Sequence, residues 1–331
     1  MGETWFPPRE GAEGERGTSV SLERALELAE QGRGTTYPNP VVGAVVVRDG
    51  EVVGEGWHER KGGPHAEVVA LEAAGERARG ATLILTMEPC SHHGATPPCT
   101  AAVLDAGVAR VVAGSLDPNP DAGGGLELLR ERGVEVELVD SFAARVQNEA
   151  WRVWVAERRP FVILKLAVTL DGRVAIPGRR WITGKEARRR VHELRAQVQA
   201  VAVGMGTVRA DAPLLTARDV EAPRQPRRLA FGRGPLPAGS ELELRSGPLE
   251  DELRELAAAG VQSLLLEGGP TLAASFLRAE LVDKLLLFLA PVLAGAGPAF
   301  LPDLPDPTSL TGLRAEPVGE DVLLSGYVHE P

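Results

Sequence analysis

The sequence has few of the residues and segments on which several classes of protein depend. Its 331 residues include two cysteines, which excludes a disulfide-rich scaffold. No apolar run approaches the roughly 20 residues that a membrane span requires, and the stretch MGETWFPPREGAEGERG lacks the apolar core of a signal peptide. We therefore expect a cytoplasmic protein with no membrane partner.

Aromatic residues and positive charge are also scarce. Aromatic residues make up 4% of the chain, and the formal net charge is −10 at pH 7. A nucleic-acid binder needs a basic surface and aromatic side chains on which bases stack, so no nucleic-acid partner is expected. The length exceeds the roughly 100–200 residues of one domain, which favours two domains.

The order of predicted elements in the first half is typical of a three-layer α/β domain. A helix from Ser21 to Gly32 precedes two apolar strands joined by Asp49-Gly50, a dipeptide that favours a tight hairpin turn. Helices and strands then alternate to about residue 145, and one helix through SFAARVQNEAWRVWVAERRP leads out. We predict a flexible tail at residues 1–18, a first domain at 19–148 and a second at 149–331.

Both cysteines stand in one loop downstream of a His-x-Glu pair. The stretch PHAE places His65 and Glu67 in the first turn of a helix, and EPCSHHGATPPC carries Cys90 and Cys99. Catalytic zinc typically takes three such ligands and leaves a fourth position for water. His65, Cys90 and Cys99 are therefore candidate zinc ligands, and Glu67 is free to transfer protons.

These groups suit the hydrolytic deamination of a heteroaromatic amine. The general zinc-deaminase pattern is H-x-E followed by P-C-x-x-C, whereas eight residues separate the two cysteines here. Two alternatives stay open: a closed structural zinc site with His92 or His93 as the fourth ligand, and a disulfide between Cys90 and Cys99.

Four motifs in the first half occur in a family-specific order. TYPNPVVGAVVV, GWHERKGGPHAE, EPCSHHGATPPC and DPNP together resemble the deaminase half of the bifunctional riboflavin-biosynthesis deaminase/reductase family, in which the eight-residue spacing is the norm. The resemblance implies a cytidine-deaminase-like fold and a pyrimidine pocket lined by Asn39, His58 and Asn119. Ala95 and Gly124 stand where the family usually has basic residues.

The second half shows no G-x-G-x-x-G motif after a strand, so the common dinucleotide fingerprint is absent. The apolar strand, glycines and helix start in LLLEGGPTLAASFL can receive a cofactor phosphate, although a structural strand-to-helix turn explains them equally well. The segment from about Pro223 to Pro248 is predicted to be a loop with at most one short strand.

The motifs LKLAVTLDGRVA, WITG, VGMGTVRADAPLLTAR, LLLEGGPTL and LVDKLLLFLAPVLAG resemble the reductase half of the same family. The resemblance implies a dihydrofolate-reductase-like α/β fold with NADPH as the hydride donor. The residues implied at the cofactor are Val168, Trp181, Thr207, Asp211, Gly269, Pro270, Thr271 and Leu272. Those implied at the reductase substrate are Arg195, Leu215, Arg218 and Glu267.

The leading hypothesis is a bifunctional enzyme that holds one zinc ion, deaminates a phosphorylated pyrimidine and then reduces its ribosyl chain with NADPH. Because Ala212 replaces a carboxylate that is usual in the family, a deaminase with a degenerate reductase domain is one alternative. A zinc-stabilised binding protein without turnover is another. The sequence leaves the oligomeric state open, a homodimer or larger homo-oligomer included.

Overall fold

The computed structural model describes residues 13–92, 97–301, 304 and 306–331. The chain divides into two compact units, Met1–Arg152 and Val153–Pro331. No helix in the described part of the chain is long and apolar enough to cross a membrane.

The described residues of the first unit form a five-stranded sheet with helices on both faces. The helices are α1 (Glu13–Glu30), α2 (Ala66–Ala74), α3 (Cys99–Ala106), α4 (Gly125–Glu131) and α5 (Phe142–Gln147), and the strands are β1 (Gly43–Arg48), β2 (Glu51–Trp57), β3 (Thr82–Leu85), β4 (Arg110–Ala113) and β5 (Glu135–Leu138). The strand order is β2-β1-β3-β4-β5. Strand β1 is antiparallel to β2 and β3, whereas β3, β4 and β5 are parallel. The predicted hairpin between β1 and β2 is confirmed, with positive φ at both Asp49 and Gly50.

Alternation along the strands builds a core on each face of this sheet. Ala44 and Val46 of β1 pack with the buried faces of α2, α3 and α4, whereas Val45 between them packs with Ala25 and Leu28 of α1. Successive side chains of a strand point to opposite faces. The apolar run in β1 therefore specifies the three layers that the sequence predicts.

Helix α1 begins at Glu13, not at Ser21. The predicted helix start is therefore wrong, residues 13–18 belong to α1, and residues 1–12 of the predicted tail lie outside the described part. Gly14 and Gly17 each cost a helix only about 1 kcal/mol relative to alanine, and the sequence has no proline after Pro8 in this region. A helix already formed downstream can extend through them, because elongation is easier than nucleation.

The single helix predicted after Ser141 is two helices, α5 and α6 (Glu149–Glu157), separated at Asn148. The buried side-chain amide of Asn148 accepts a hydrogen bond from the Val41 backbone N–H at 3.0 Å and donates one to the Val41 carbonyl at 2.8 Å. The buried N–H and carbonyl groups of Val41 need hydrogen-bond partners, and the Asn148 side chain supplies both. This stabilisation outweighs the backbone hydrogen bonds that one continuous helix would gain.

The described residues of the second unit form an eight-stranded sheet. Its helices are α7 (Lys185–Gln197), α8 (Met205–Asp211), α9 (Leu249–Ala258) and α10 (Pro270–Arg278), and its strands are β6 (Phe161–Thr169), β7 (Ala200–Gly204), β8 (Arg227–Phe231), β9 (Glu243–Arg245), β10 (Ser263–Leu266), β11 (Lys284–Ala290), β12 (Thr311–Val318) and β13 (Asp321–Tyr327). The strand order is β12-β13-β11-β6-β10-β7-β8-β9. The strands from β11 to β9 are parallel, and β13 and β12 form an antiparallel edge.

The segment from Pro223 to Pro248 contains two strands, β8 and β9, so the prediction of at most one strand is wrong. Strand β8 buries Leu229, Ala230 and Phe231 beside β7. Strand β9 is three residues long and lies at the edge of the sheet. It carries a single apolar residue, Leu244, between charged ones, which leaves too short a pattern to predict a strand.

A buried ion pair fixes the start of β6 against the start of β11. Arg159 donates two hydrogen bonds of 2.7 Å to the Asp283 carboxylate, which also accepts the Val162 N–H at 2.7 Å. The Asp283 side chain is 1% exposed. Without Asp283, the Arg159 side chain, which is 9% exposed, keeps only its ion pair with the half-exposed Glu157, and breaking a buried pair costs about 3–5 kcal/mol.

We therefore expect Asp283→Ala to lower the free energy of unfolding of this unit by about 3–5 kcal/mol, measured by chemical denaturation of the full chain. Asp251→Ala is the matched control, because Asp251 pairs with Arg254 on the exposed surface of α9, where such pairs contribute at most about 1 kcal/mol. Equal losses in the two variants would contradict a stabilising role for the buried pair.

Candidate active sites

Three side chains from separate elements of the first unit meet as a possible metal centre. His65 is the N-cap residue of α2, Cys90 follows β3, and Cys99 is the first residue of α3. Nδ1 of His65 lies 3.1 Å from Sγ of Cys99 and 3.7 Å from Sγ of Cys90. Within the described part of the chain, this is the group of His, Cys and carboxylate side chains whose ligand atoms are close enough to share an ion, all within 4.8 Å of one another.

The distances in this cluster fit a zinc ion. Tetrahedral zinc with ordinary Zn–N and Zn–S bond lengths holds its nitrogen and sulfur ligands about 3.6 Å apart, and the two observed distances lie on either side of that value. The hydrogen bond from the Cys99 thiol lowers the pKa of Cys90 to about 4, and the same contact raises the pKa of Cys99. A bound metal would displace the proton that remains, because the thiolate is the ligand.

Glu67 lies in the first turn of α2, beside the cluster. Its side chain is almost fully buried and forms a hydrogen bond with Cys99. Burial raises the pKa of its carboxyl group, which suits a group that must both take up and release a proton. Gly56 of β2 lets α2 come this close to the sheet, since a Cβ there would lie 2.6 Å from the Ala70 nitrogen.

Two of the predicted pocket residues, Asn39 and His58, are brought together next to this cluster. The His58 ring is buried, and its centroid lies 5.3 Å from that of His65. Nδ1 of His58 lies 3.0 Å from the Pro64 carbonyl oxygen, which can only accept, so Nδ1 carries the proton. Nε2 is then an acceptor 3.4 Å from the Asn39 amide nitrogen. Burial lowers the pKa of His58 and favours this neutral form.

Asn119 lies in a loop between β4 and α4. Its backbone N–H donates to the Asp117 carboxylate at 2.8 Å, and its own side-chain oxygen accepts the Asp121 N–H at 3.1 Å. Burial raises the pKa of Asp117 to about 6. No hydrogen bond among the described residues joins Asn119 to Asn39, to His58 or to the thiols, so its place at the pocket stays a prediction.

The sequence singles out four further residues near this site, and the structure describes two of them, His92 and Gly124. His92 is exposed and is not a member of the cluster, whereas His93 and Ala95 lie outside the described residues. Gly124 has φ +86 at the N-cap of α4, a conformation that favours glycine over the basic residue usual in the family.

In the second unit, the structure brings Arg195 and Glu267 into direct contact. Arg195, on α7, donates two hydrogen bonds of 2.6 and 2.9 Å to the Glu267 carboxylate, which follows β10. Lys165 of β6 lies 3.9 Å from the same carboxylate. All three side chains are at least 85% buried, and burial lowers the pKa of Lys165.

The loop with Leu215 and Arg218 lies against this group. Arg195 donates to the Thr216 carbonyl at 3.2 Å, and the Arg218 backbone N–H lies 3.2 Å from Nδ1 of His192 on α7. Leu215 is buried and has φ +54. The predicted substrate residues of this unit therefore belong to one connected group.

The predicted cofactor residues lie at the carboxyl ends of neighbouring parallel strands. Helix α8 follows β7 and carries Thr207, and helix α10 follows β10 and starts with Gly269 as its N-cap and Pro270 in its first turn. A Cβ on Gly269 would lie 3.6 Å from Oγ1 of Thr207, so the two helix starts adjoin. Ligands of parallel α/β sheets bind in such a crevice.

The remaining predicted cofactor residues are less closely joined. Thr271 and Leu272 lie in the first turn of α10, and Val168 is a buried residue of β6. Trp181 is 55% exposed and contacts the guanidinium groups of Arg180 and Arg188, while Asp211 is exposed at the end of α8. Asp211 lies one helical turn after Thr207 on α8, and no hydrogen bond among the described residues links Trp181 to Thr207 or Gly269.

Sequence reasoning missed Lys165 and His192. A signal for Lys165 was present, because a single charge in the buried strand FVILKLAVT needs a partner. His192 gives no such signal, since it lies among charged residues on an amphipathic helix.

Two family models match this chain. The model of the cytidine and deoxycytidylate deaminase zinc-binding region matches residues 18–115. The model of the RibD C-terminal domain matches residues 160–237 and 241–324.

Curated relatives match along nearly the whole chain. The riboflavin biosynthesis protein RibD of Aquifex aeolicus is 38% identical, with 92% of this chain and 96% of the relative covered. The protein of the same name from Escherichia coli K12 is 41% identical, with 86% and 90% covered.

Solved structures agree with this similarity. RibD of Acinetobacter baumannii superimposes with a TM-score of 0.81 at 34% identity, covering 94% of this chain and 99% of that one. A diaminohydroxyphosphoribosylaminopyrimidine deaminase/5-amino-6-(5-phosphoribosylamino)uracil reductase of Thermotoga maritima gives 0.78 at 36% identity, covering 95% and 99%.

Proposed function

Because the chain belongs to the bifunctional deaminase/reductase family of riboflavin biosynthesis, we propose that it catalyses two consecutive reactions. The first is the hydrolytic deamination of 2,5-diamino-6-(5-phosphoribosylamino)pyrimidin-4(3H)-one. The second is the NADPH-dependent reduction of the ribosyl chain of the product to a ribityl chain. The observation that carries the proposal is the cluster of His65, Cys90 and Cys99 with Glu67 beside it.

In the deaminase site, His65, Cys90 and Cys99 are the residues that would hold zinc. Zinc supplies Lewis acidity there, which activates water at neutral pH. Glu67 takes one proton from the attacking water and gives it to the ring nitrogen. It then transfers the second proton, from the new hydroxyl group, to the amine, so that ammonia leaves and a carbonyl remains. Burial supports this role, because a carboxylate with a raised pKa is a stronger base and takes up the proton of the attacking water more readily.

Asn39, His58 and Asn119 hold the pyrimidine in this proposal. The neutral His58, with its proton on Nδ1 toward Pro64, accepts the Asn39 amide through Nε2 and so orients the Asn39 side chain, whose second N–H and carbonyl oxygen remain for the ring. A donor and an acceptor fixed side by side suit the edge of an aminopyrimidinone ring. Because the proton of His58 is fixed on Nδ1, the direction of the hydrogen bond between His58 and Asn39 is fixed as well.

In the reductase site, we place the sugar chain of the substrate at Arg195, Leu215, Arg218 and Glu267, with Lys165 as a further member. Two cations share one carboxylate in this group, which leaves net positive charge for a phosphorylated ligand. Arg218 is exposed at the edge of the group and suits the phosphate.

NADPH would lie across the starts of α8 and α10 and supply the hydride. Thr207 and the segment from Gly269 to Leu272 adjoin there, and a helix start favours an anionic cofactor phosphate. Val168, Trp181 and Asp211 complete the proposed cofactor site. We place both reactions in the cytoplasm, where thiolate ligands stay reduced.

A zinc chelator separates the two proposed activities. We expect 1,10-phenanthroline to stop the release of ammonia from the diaminopyrimidine, because deamination needs the metal. The oxidation of NADPH with the deaminated pyrimidine should continue in the same sample, since no proposed reductase residue is a metal ligand. Ammonia release that persists in metal-depleted protein would exclude a zinc deaminase, and NADPH that stays unoxidised would exclude the reductase.

A further inference from the structure

Glu88 is a buried carboxylate that the proposed chemistry does not use. It stands two residues before Cys90 and is only 7% exposed. Its Oε1 accepts the backbone N–H of Leu126 at 3.0 Å, and its Oε2 accepts the backbone N–H of Asp117 at 3.3 Å. Each oxygen therefore accepts one backbone N–H, so this side chain joins two separate positions of the backbone.

These two contacts span the loop that carries Asn119. Asp117 begins this loop and Leu126 lies in the first turn of α4, so Glu88 holds both ends of residues 117–126. Asp117 in turn accepts the Asn119 N–H through its side chain at 2.8 Å. The chain of contacts therefore runs from Glu88 through Asp117 to Asn119.

The segment after Glu88 is joined to the same loop. Ser91 donates from its hydroxyl to the Gly123 carbonyl at 2.8 Å and from its N–H to the Ala122 carbonyl at 3.3 Å. A Cβ on Gly125 would lie 1.8 Å from the Pro89 carbonyl oxygen, so the start of α4 rests directly on this segment. Cys90 and Asn119 therefore lie on two backbone segments that are hydrogen-bonded and packed directly against each other.

We propose that Glu88 is a positioning residue of the deaminase, which sets the substrate-binding loop with Asn119 relative to the metal-binding segment with Cys90. The inference rests on the proposed function and adds to it a residue that acts on substrate binding without touching the reacting atoms. Glutamine at this position has one side-chain oxygen and one NH2 group. Its oxygen can accept only one of the two loop N–H groups. Its NH2 group then faces the other N–H group, so that two donors meet and no hydrogen bond forms.

We expect Glu88→Gln to raise the KM for the diaminopyrimidine roughly 10-fold to 100-fold, with kcat changed by less than about threefold, because Glu67 and the zinc ligands stay in place. Zinc content and reductase activity of the same chain should be unchanged, which shows that the variant is folded. Wild-type protein that does not deaminate would instead refute the proposed function, so the two failures are distinguishable.

A double-mutant cycle tests whether Glu88 acts through Asn119. In an Asn119→Ala background, Glu88→Gln should change KM by less than about threefold, since coupled residues are not additive. The same KM increase in both backgrounds, or a loss of zinc or kcat with KM unchanged, would overturn the proposal.

If Glu88→Gln does not fold, Asp117→Ala removes the acceptor of the Asn119 N–H outside the metal segment. The same KM increase is then expected, and an unchanged KM would overturn the proposal.

Discussion

Glu67→Gln is expected to abolish deamination while zinc stays bound. Glutamine keeps the size of the side chain and can keep the contact with Cys99, but it cannot carry a proton from water to the leaving amine. General acid–base catalysis by one positioned group contributes about 10²–10⁴-fold, so turnover should fall by that factor. Ammonia release measures the activity, and metal analysis of the same sample measures the zinc.

Glu72→Gln is the matched control for this prediction. Glu72 lies on the same helix and is exposed, so neutralising it changes the charge of α2 without entering the site. It should deaminate at the wild-type rate. Unchanged turnover in Glu67→Gln, with a normal zinc content, would show that another group transfers the proton.

Glu267→Gln is expected to abolish reduction and leave deamination intact. The Glu267 carboxylate is the shared partner of Arg195 and Lys165, and all three side chains are buried. Neutralising it leaves two cations without their counter-charge, a change that costs about 3–5 kcal/mol for a buried pair. Reductase activity should fall at least about 100-fold, because Arg195 and Lys165 would no longer be held in place to position the substrate.

Deamination by the same Glu267→Gln sample serves as an internal control for folding of the first unit. Glu243→Gln is the matched variant within the second unit, because Glu243 forms two hydrogen bonds with Arg227 at the exposed edge of the sheet. That variant should reduce the substrate normally. If Glu267→Gln oxidises NADPH at the wild-type rate, Glu267 is not part of the reductase site.

Local patterns singled out the three side chains that the structure brings together, His65, Cys90 and Cys99. The three candidate ligands were indicated by their residue types and by the H-x-E pair, whereas the eight-residue spacing of the cysteines was explained only by the family resemblance. The hairpin at Asp49-Gly50 is a similar case, since two adjacent residues determine that turn.

Features that depend on residues distant in sequence were not predictable in this way. Asn148 separates two helices because it bonds to Val41, 107 positions away. The group of Lys165, Arg195 and Glu267 is assembled from a strand, a helix and the end of another strand. Glu88 reads as an ordinary residue before Pro89, and only the folded chain shows it binding two backbone N–H groups of the loop with Asn119.

The most direct test of the two proposed activities is mass spectrometry of the diaminopyrimidine ribosyl phosphate after incubation with zinc-loaded protein, with and without NADPH. We expect the exchange of NH for O without NADPH, followed by the gain of two hydrogens once NADPH is added. Deamination without the second step would make the C-terminal half a degenerate reductase. An unchanged substrate in both samples would contradict the proposed function as a whole.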